Sequence, residues 1–249
     1  MAETPWDLLW QNELTKPIVC PDDRSWLNDI DRRKLKFIRR HAPTRGVATE
    51  VGCGSARLLG FVGRAIPGLK LVAVDESVTA LELASKNASV FGVSMETRLG
   101  RAEELPFESQ SIELVLSGGL LEHFPDPKPV LREMLRVLRP GGVLYADVVP
   151  RKPSLYRLHE LKRMRSSEWI EPGVYESALG PRGYKAALQE LGCTTIETMW
   201  CGVYPAAIRH LGPFRSATSR IAEIFDGTNV AAQLGWYFML AATRPQKVE

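Results

Sequence analysis

Apolar residues along this chain alternate between short unbroken runs and helical stripes in which they return every three or four positions. The short runs predict strands at residues 47–51, 69–75, 97–99, 111–117 and 143–149. The stripes predict helices at residues 25–41, 58–66, 78–91 and 130–138. Strands that alternate with helices are typical of an α/β protein with a parallel sheet.

The turn after the first strand contains two glycines in the string E-V-G-C-G-S-A-R, which runs from Glu50 to Arg57. Glycines adopt unusual dihedrals and let a ligand approach bare backbone. Asp75 ends the second strand about 20 residues later, where a carboxylate can accept hydrogen bonds from both ribose hydroxyls. This order predicts a nucleotide-binding βαβ unit. A dinucleotide is disfavoured, because Arg57 occupies the third glycine position of G-x-G-x-x-G and Glu50 would repel a pyrophosphate.

Glu50 favours instead a ligand with a cationic tail. S-adenosylmethionine is such a ligand, with an adenosine, a sulfonium and an amino-acid tail but no phosphate. The string E-V-G-C-G-S-A-R followed by Asp75 resembles the first two motifs of class I S-adenosylmethionine-dependent methyltransferases. The resemblance implies a single Rossmann-like α/β domain, whose seven-stranded sheet is mostly parallel with an antiparallel last strand.

Further segments extend the resemblance over about residues 48–149. G-R-A-E-E-L-P-F, from Gly100, is similar to the family's G-D-A-E-x-L-P-F, but Arg101 replaces the acid that reads the adenine edge. Because an arginine cannot accept a hydrogen bond, the backbone of Ala102 is left for this role. G-G-L-L-E-H-F-P-D-P follows the fourth strand, and L-R-P-G-G forms a turn before the fifth. The resemblance also implies a helix at 184–193 and strands at 194–200 and 234–245. Between the last two strands, a linker that begins at Gly202 is predicted, with a short helix near residues 221–225. The residues predicted to bind the cofactor are Glu50, Gly52, Cys53, Gly54, Asp75, Glu76, Ala102, Glu103 and Ser117.

His123, in the L-E-H-F string after the fourth strand, is the candidate catalytic residue. Methyl transfer needs mostly orientation and desolvation, and a general base helps only if the acceptor loses a proton. Family members with this Glu-His pair often place the histidine facing the acceptor. The alternative is that His123 caps or packs against the following helix. Glu122 is predicted to be structural or to support the histidine.

No metal is predicted. Oxygen methyltransferases of the catechol type hold a metal with paired Asp and Asp-Asn, whereas this chain has Asp147-Val148. The four cysteines form no C-x-x-C pair and are predicted to be reduced core residues. The alternative is a thiol cluster of Cys20, Cys193 and Cys201 that binds arsenic, since some relatives methylate arsenite. The cysteines are Cys20, Cys53, Cys193 and Cys201.

Residues 1–46 are predicted to form an N-terminal helical cap, and residues 47–249 the methyltransferase domain. In related enzymes the segment before the first motif often covers the cofactor. Apolar residues Trp6, Leu9 and Trp10 predict a short helix in the cap. The basic residues of helix 25–41 predict either a solvated face or a contact with nucleic acid or membrane.

A basic insertion or lid is predicted at residues 150–180. Two interpretations stand: a solvated helix, or a surface that binds an acidic substrate or a membrane. Its basic residues are Arg151, Lys152, Arg157, Lys162, Arg163 and Arg165.

Composition sets broad limits on function. The 249 residues are 45% hydrophobic and 24% charged with a net charge of +3, which is typical of a globular protein and demands no acidic partner. The N-terminus lacks a signal-peptide pattern, and no apolar run approaches the roughly 20 residues of a membrane span. A cytoplasmic location is therefore predicted.

The predicted function is methylation of a small molecule at oxygen, nitrogen or carbon, without sequence-specific binding of nucleic acid. RNA methylation is the first alternative. Base-amino enzymes carry N/D-P-P-Y/F after the fourth strand and 5-methylcytosine enzymes a Pro-Cys pair, whereas this chain has S-G-G-L from Ser117. A non-catalytic subunit is the second alternative, against which the intact Glu50 and Asp75 weigh.

Overall fold

The computed structural model describes residues 5–157, 175–204 and 215–246, which include a seven-stranded sheet. The strands are β1 (Gly46–Val51), β2 (Leu69–Asp75), β3 (Met95–Leu99), β4 (Ile112–Gly118), β5 (Leu138–Val148), β6 (Ile196–Cys201) and β7 (Tyr237–Thr243). The helices are α1 (Pro5–Leu14), α2 (Trp26–Ile38), α3 (Arg57–Ala65), α4 (Val78–Phe91), α5 (Lys128–Val137), α6 (Pro181–Glu190), α7 (Arg215–Glu223) and α8 (Asn229–Leu234). The alternation of strands and helices predicted from the apolar pattern is confirmed.

The strands lie in the order β3-β2-β1-β4-β5-β7-β6. β7 runs antiparallel to both β5 and β6, and the other pairings are parallel. The predicted mostly parallel sheet with an antiparallel last strand is therefore confirmed. The direction of winding reverses between β1 and β4, and open α/β sheets bind ligands beyond the carboxyl ends of the strands at such a point.

Helix α4 shows how local sequence sets the ends of an element. The Ser77 hydroxyl caps its first turn by accepting a hydrogen bond from the Ala80 amide (3.3 Å). Gly92 ends it with φ +67°, a conformation that favours glycine. The predicted bounds of this helix, residues 78–91, are confirmed. Val78 itself is 67% exposed, because the buried face of the helix runs through Ala80, Ala84 and Phe91.

Apolar layers cover both faces of the sheet. On one face α5 and α6 bury residues such as Met134 and Leu188. On the other face α2 and α3 bury residues such as Phe37 and Leu59. The packing on both faces leaves the carboxyl ends of the strands as the place for a site.

Three elements differ from the predictions. The string R-P-G-G was expected to be a turn before a strand starting at residue 143, but β5 already begins at Leu138 and pairs with β4 through a shift in register. The helix expected near residues 221–225 is α7, which begins earlier and ends at Glu223. Helix α8 was not predicted. Residues 205–214 of the predicted linker that begins at Gly202 lie outside the described residues.

The basic face of α2 is not uniformly solvated. Arg33 is buried and forms ion pairs with Glu223 (3.6 Å) and Asp226 (3.5 Å). Lys34 is largely buried as well, whereas the side chain of Lys36 is 81% exposed. The face therefore contributes to internal packing as well as to the surface.

The predicted basic insertion is described only in part. Lys162, Arg163 and Arg165 lie outside the described residues. Arg157 is buried and pairs with Glu176 (3.3 Å), and Lys152 donates to the Ala232 carbonyl (2.7 Å). These two basic side chains therefore make internal contacts rather than forming a solvated face. Across the part of the chain that is described, no helix is both long and apolar enough to span a membrane.

Candidate active site

A cavity of about 530 Å³ opens at the carboxyl ends of β1, β2 and β4. Helices α1 and α2 form part of its wall, as expected of a cap, through Trp6, Trp10 and Lys34 among others. The predicted site residues that line the cavity are Glu50, Gly52, Cys53, Gly54, Asp75, Glu76, Ala102, Glu103 and His123. Residues far apart in the chain are thus brought together around one cavity.

The glycines after β1 are needed for packing inside the protein. Gly52 and Gly54 have φ values of +62° and +48°, which favour glycine. A Cβ on Gly52 would lie 2.7 Å from the Leu120 side chain, and one on Gly54 would lie 2.3 Å from the Trp10 ring. The expected reason, close approach of a ligand to bare backbone, is therefore incomplete, because side chains of the protein already contact the turn.

Asp75 holds the glycine turn to the end of β2. One carboxylate oxygen accepts a hydrogen bond from the Gly54 amide (2.8 Å) and the other from the Ser77 amide (3.0 Å). Burial raises the pKa of Asp75, although these amides oppose the rise. The Glu76 amide also helps to hold the carboxylate, so at least one of its about four acceptor positions remains for a ribose hydroxyl. Asp75 therefore has a structural role that its position at the end of a strand did not reveal.

Glu50 lies at the end of β1 and is nearly completely buried. One of its oxygens accepts a hydrogen bond from the Leu59 amide in α3 (3.1 Å). Burial raises the pKa of Glu50 to about 8, so the side chain is mostly protonated at neutral pH. An ammonium group in the cavity would favour the ionised form, so this acid fits the amino-acid tail of S-adenosylmethionine.

An ion pair in the cavity wall was not predicted. The Lys34 ammonium donates to the Asp147 carboxylate at the end of β5 (2.7 Å), and the Tyr145 hydroxyl lies 3.3 Å from the other oxygen of Asp147. The sequence showed Lys34 only as part of a basic face and Asp147 only as half of an incomplete metal motif. The one sequence feature that could have pointed to this ion pair was the position of Asp147, an acid at the carboxyl end of the central strand β5.

The G-R-A-E-E segment, which follows β3, forms another part of the cavity wall. Arg101 is exposed and pairs with Glu103 (3.2 Å) rather than replacing the family's acid as an acceptor. Ala102 lines the cavity beside them. Ser117 is fully buried in β4 and does not line the cavity, whereas Gly118, the next residue, does. The assignment of Ser117 stays a prediction that its side-chain position does not support.

His123 ends a 3₁₀ turn that follows β4. Its Nδ1 lies 2.8 Å from the Tyr175 carbonyl oxygen. Because a carbonyl only accepts hydrogen bonds, Nδ1 carries the proton in the neutral ring, and the lone pair is on Nε2. The Trp6 ring packs edge-on against the imidazole at 4.8 Å between centroids. The arrangement gives His123 the tautomer of a base, in a ring that lines the cavity.

Glu122 is buried next to this histidine and connects two segments. Its Oε1 accepts a hydrogen bond from the Val149 amide (3.1 Å), and its backbone carbonyl accepts one from the Ser177 amide (2.7 Å). Burial raises the pKa of Glu122 to about 8. These contacts agree with the structural role predicted for it.

The cysteines form no metal site with other residues that the structure describes. Within the described ranges, no group of three His, Cys, Asp or Glu side chains has an arrangement that could hold a metal ion. Cys20, Cys53, Cys193 and Cys201 are all free thiols. The thiol-cluster alternative therefore has no support in the described part of the chain.

Comparison with known proteins identifies the family of this chain. Residues 49–146 match a protein family described as a methyltransferase domain. A ubiquinone biosynthesis O-methyltransferase from Chromobacterium violaceum is 30% identical over 179 residues, which make up 70% of this chain and 76% of that protein. The chain belongs to the class I S-adenosylmethionine-dependent methyltransferases, enzymes of class EC 2.1.1. The methyl donor of this family is S-adenosylmethionine, which Glu50 and Asp75 fit.

Two further similarities define how far the likeness reaches. A ubiquinone biosynthesis O-methyltransferase from Marinobacter nauticus is 30% identical over 134 residues, so the match spans 52% of this chain and 56% of that protein. The chain thus spans little more than half the length of several relatives it matches. A putative sarcosine dimethylglycine methyltransferase from Galdieria sulphuraria has a TM-score of 0.61 at 16% identity, over 88% of this chain and 86% of that one. This likeness shows the fold.

Proposed function

We propose that this methyltransferase transfers a methyl group to a small molecule whose nucleophilic atom carries a proton, most simply a hydroxyl. The observation that supports this proposal is the state of His123. Its Nδ1 is bound to the Tyr175 carbonyl, and the ring lines the same cavity as the glycine turn. An acceptor that must lose a proton gains from such a base, whereas a neutral amine does not need one before attack.

The residues of the cavity divide between the parts of the methyl donor. S-adenosylmethionine supplies a methyl group on a sulfonium that is already activated for displacement. Glu50 would hold the ammonium of its tail and Asp75 its ribose hydroxyls. The backbone of Ala102, with Glu103, would contact the adenine.

The chain's own contribution to the reaction is orientation, exclusion of water and removal of a proton. His123 would take the acceptor's proton on Nε2 while Tyr175 keeps the ring oriented through Nδ1. Trp6, Leu120 and Phe124 line the cavity near this histidine with apolar surface. Such surface excludes water and strengthens the interactions within the site.

The nature of the relatives supports oxygen as the acceptor atom. The proteins from Chromobacterium violaceum and Marinobacter nauticus are both named O-methyltransferases. A hydroxyl is also the acceptor for which a histidine base has the clearest use.

A labelling experiment tests the proposal. The protein is incubated with S-adenosylmethionine labelled on its methyl group and with a cell extract divided into small-molecule and RNA fractions. Label should enter hydroxylated small molecules, and treatment of the RNA fraction with ribonuclease should change nothing. Incorporation into RNA alone would contradict the proposal. So would the absence of incorporation by a protein that binds S-adenosylhomocysteine normally.

A further inference from the structure

Lys34 places in the cavity wall an ammonium group that the chemistry above does not use. Its Nζ donates to Asp147 Oδ2 at 2.7 Å, and the two side chains are 15% and 2% exposed. A charge buried to this degree is tolerated only with a partner, so the pair is fixed in place. Lys34 is therefore a positioned cation rather than a mobile surface lysine.

The ammonium keeps donors for a ligand. It has three N–H groups, and among the described residues one of them is taken, by Asp147. The nearby Asp31 is bonded by Arg57 (Nε to Oδ2, 3.2 Å). Burial alone would lower the pKa of Lys34, but the Asp147 and Asp31 carboxylates outweigh it and the pKa is raised. Lys34 therefore stays charged, with two hydrogen-bond donors left.

Lys34 is anchored on the acceptor side of the cavity through Asp147. The residues predicted to bind the methyl donor, Asp75 and Glu50, end β2 and β1. His123 follows β4, and Asp147 lies on β5. Neighbouring strands are about 4.8 Å apart, so the order β2-β1-β4-β5 places Asp147 beyond β4, on the opposite side from the ribose site. The Lys34 ammonium also interacts electrostatically with Glu50, so it can reach an anionic group on either side of β4.

The cavity lining between His123 and Lys34 is open and partly apolar. Gly118 and Gly119 line the cavity between the ends of β4 and β5 without side chains. Trp6, Leu120 and Phe124 supply apolar surface near His123. A ligand here can place an apolar body against these three side chains and an anionic group on Lys34.

We propose that Lys34, held by Asp147, binds a carboxylate in the cavity, and that this carboxylate belongs to the methyl acceptor. The acceptor is then a small molecule with an apolar body, an anionic group and a proton-bearing nucleophile. The sulfonium of the methyl donor adds a positive charge to the cavity, which further favours an anionic neighbour. The assignment to the acceptor rests on the proposed function. The other source of a carboxylate is the amino-acid tail of the donor itself.

Binding measurements with Lys34→Met test the proposal without any turnover. Calorimetry gives the affinities for S-adenosylhomocysteine, which has the tail carboxylate, and for methylthioadenosine, which lacks it. Protein saturated with S-adenosylhomocysteine is then titrated with benzoate, phenylacetate and cinnamate, and with their neutral amides. Lys36→Met is the matched control, because Lys36 lies on the same helix and its side chain is 81% exposed. The double variant Lys34→Met/Asp147→Asn leaves no unpaired charge and serves if the single variant does not fold.

The expected result is that the wild type prefers at least one of these acids to its amide. Lys34→Met should then weaken binding of that acid roughly tenfold to a hundredfold, the range of a charge-assisted hydrogen bond, without affecting the amide or S-adenosylhomocysteine. A loss confined to S-adenosylhomocysteine, with methylthioadenosine unchanged, would keep Lys34 as a carboxylate-binding residue and overturn its assignment to the acceptor. Unchanged affinity for every acid and for S-adenosylhomocysteine would overturn the whole proposal. A wild type that fails to bind S-adenosylhomocysteine would instead count against the proposed function.

Discussion

At the scale of single residues, the site depends on buried carboxylates that backbone amides hold in place. Asp75 accepts from the amides of Gly54 and Ser77, and Glu50 and Glu122 each accept from one amide. Burial raises the pKa of all three. The acids that would bind the donor therefore also fix the turns that carry them, so ligand binding and local structure are coupled at each position.

His123 provides the first prediction at this scale. His123→Gln keeps a polar side chain but removes the base, so single-turnover methyl transfer to a hydroxyl acceptor should fall roughly 10²–10⁴-fold. The affinity for S-adenosylmethionine should barely change, because Glu50 and Asp75 are expected to carry it. The acidic limb of the pH–rate profile should disappear with the base. Rapid-quench measurements across pH check this.

The control for this prediction is His41→Gln. His41 contacts Glu197 (3.0 Å) and is not among the residues that line the cavity, so its replacement should leave the rate unchanged. A His123→Gln rate within a few-fold of wild type would reduce His123 to a packing residue.

Asp75 provides the second prediction. Asp75→Asn should weaken S-adenosylhomocysteine binding by about 1.5–3 kcal/mol, or tenfold to a hundredfold, because charge-assisted bonds to the ribose are lost. Asp75→Ala should in addition be less stable than Asp75→Asn by roughly 1–3 kcal/mol, because Ala leaves the amides of Gly54 and Ser77 both without a partner, whereas the single carbonyl oxygen of Asn still accepts from one of them. Calorimetry measures the loss of ligand affinity, and urea unfolding measures the loss of stability.

The control for the Asp75 variants is Glu82→Gln, an exposed change on α4. Equal stability of the Ala and Asn variants would contradict the structural role of Asp75.

At the scale of elements, α1 connects the two halves of the cavity. Trp10 packs on the glycine turn at Gly54, and Trp6 packs against His123. A single ten-residue helix thus contacts both the predicted donor site and the candidate base. The contact of Trp10 with the glycine turn can therefore be tested by a Gly54→Ala substitution, which adds one methyl group at that point.

Gly54→Ala should destabilise the protein through two effects. The left-handed conformation at φ +48° costs roughly 1–2 kcal/mol, and the added Cβ, 2.3 Å from the Trp10 ring, costs about 1–3 kcal/mol more. Gly92→Ala is the matched control, since Gly92 has φ +67° and no atom within 4 Å of an added Cβ. The excess cost of Gly54→Ala over Gly92→Ala should vanish when Trp10 is also replaced by Ala. An excess that persists without Trp10 would show that α1 does not pack on the turn. Urea unfolding measures all the variants.

At the scale of the whole molecule, two buried glutamates make stability depend on pH. The pKa of Glu50 and of Glu122 is raised from 4.5 to about 8 in the folded state. Below pH 4.5 both groups are protonated in the folded and unfolded chains alike. Between pH 4.5 and 8 the folded chain binds more protons, so the free energy of unfolding contributed by these groups falls as the pH rises.

Glu122→Gln should remove the contribution of Glu122 to this pH dependence of stability. Glutamine keeps a carbonyl oxygen for the Val149 amide, so stability at pH 5 should change by less than about 1 kcal/mol. At pH 9 the variant should be more stable than wild type by up to about 5 kcal/mol, because the pKa rises from 4.5 to about 8 and each unit of pKa is worth about 1.4 kcal/mol. Urea unfolding at pH 5, 7 and 9 measures the effect, and Glu108→Gln, an exposed change, should show none. Parallel pH profiles for wild type and Glu122→Gln would mean that Glu122 is ionised in the folded state.

Much of the fold follows from local sequence. The strands, the main helices and the caps of α4 were predictable, because apolar periodicity and capping residues act within a few positions of the chain. The bulged start of β5 was not, because it depends on the pairing of Leu138 with Ile112 of β4, a contact between distant segments, while R-P-G-G lies in the bulge. Helix α8 was missed because its six residues are too few to show a period.

The candidate site divides in the same way. Glu50, Asp75 and His123 were identifiable as candidates because each lies at or shortly after the end of a strand inside a short motif, whose order of strand, turn and polar residue the sequence alone determines. The Lys34–Asp147 pair joins residues 113 positions apart, and the contact of Trp10 with Gly54 depends on how α1 packs on the domain. Only the tertiary structure decided these features. Which side chain pairs with a buried charge, and which one packs against a glycine, depends on how distant segments of the chain come together, and no repeating pattern in the sequence records it.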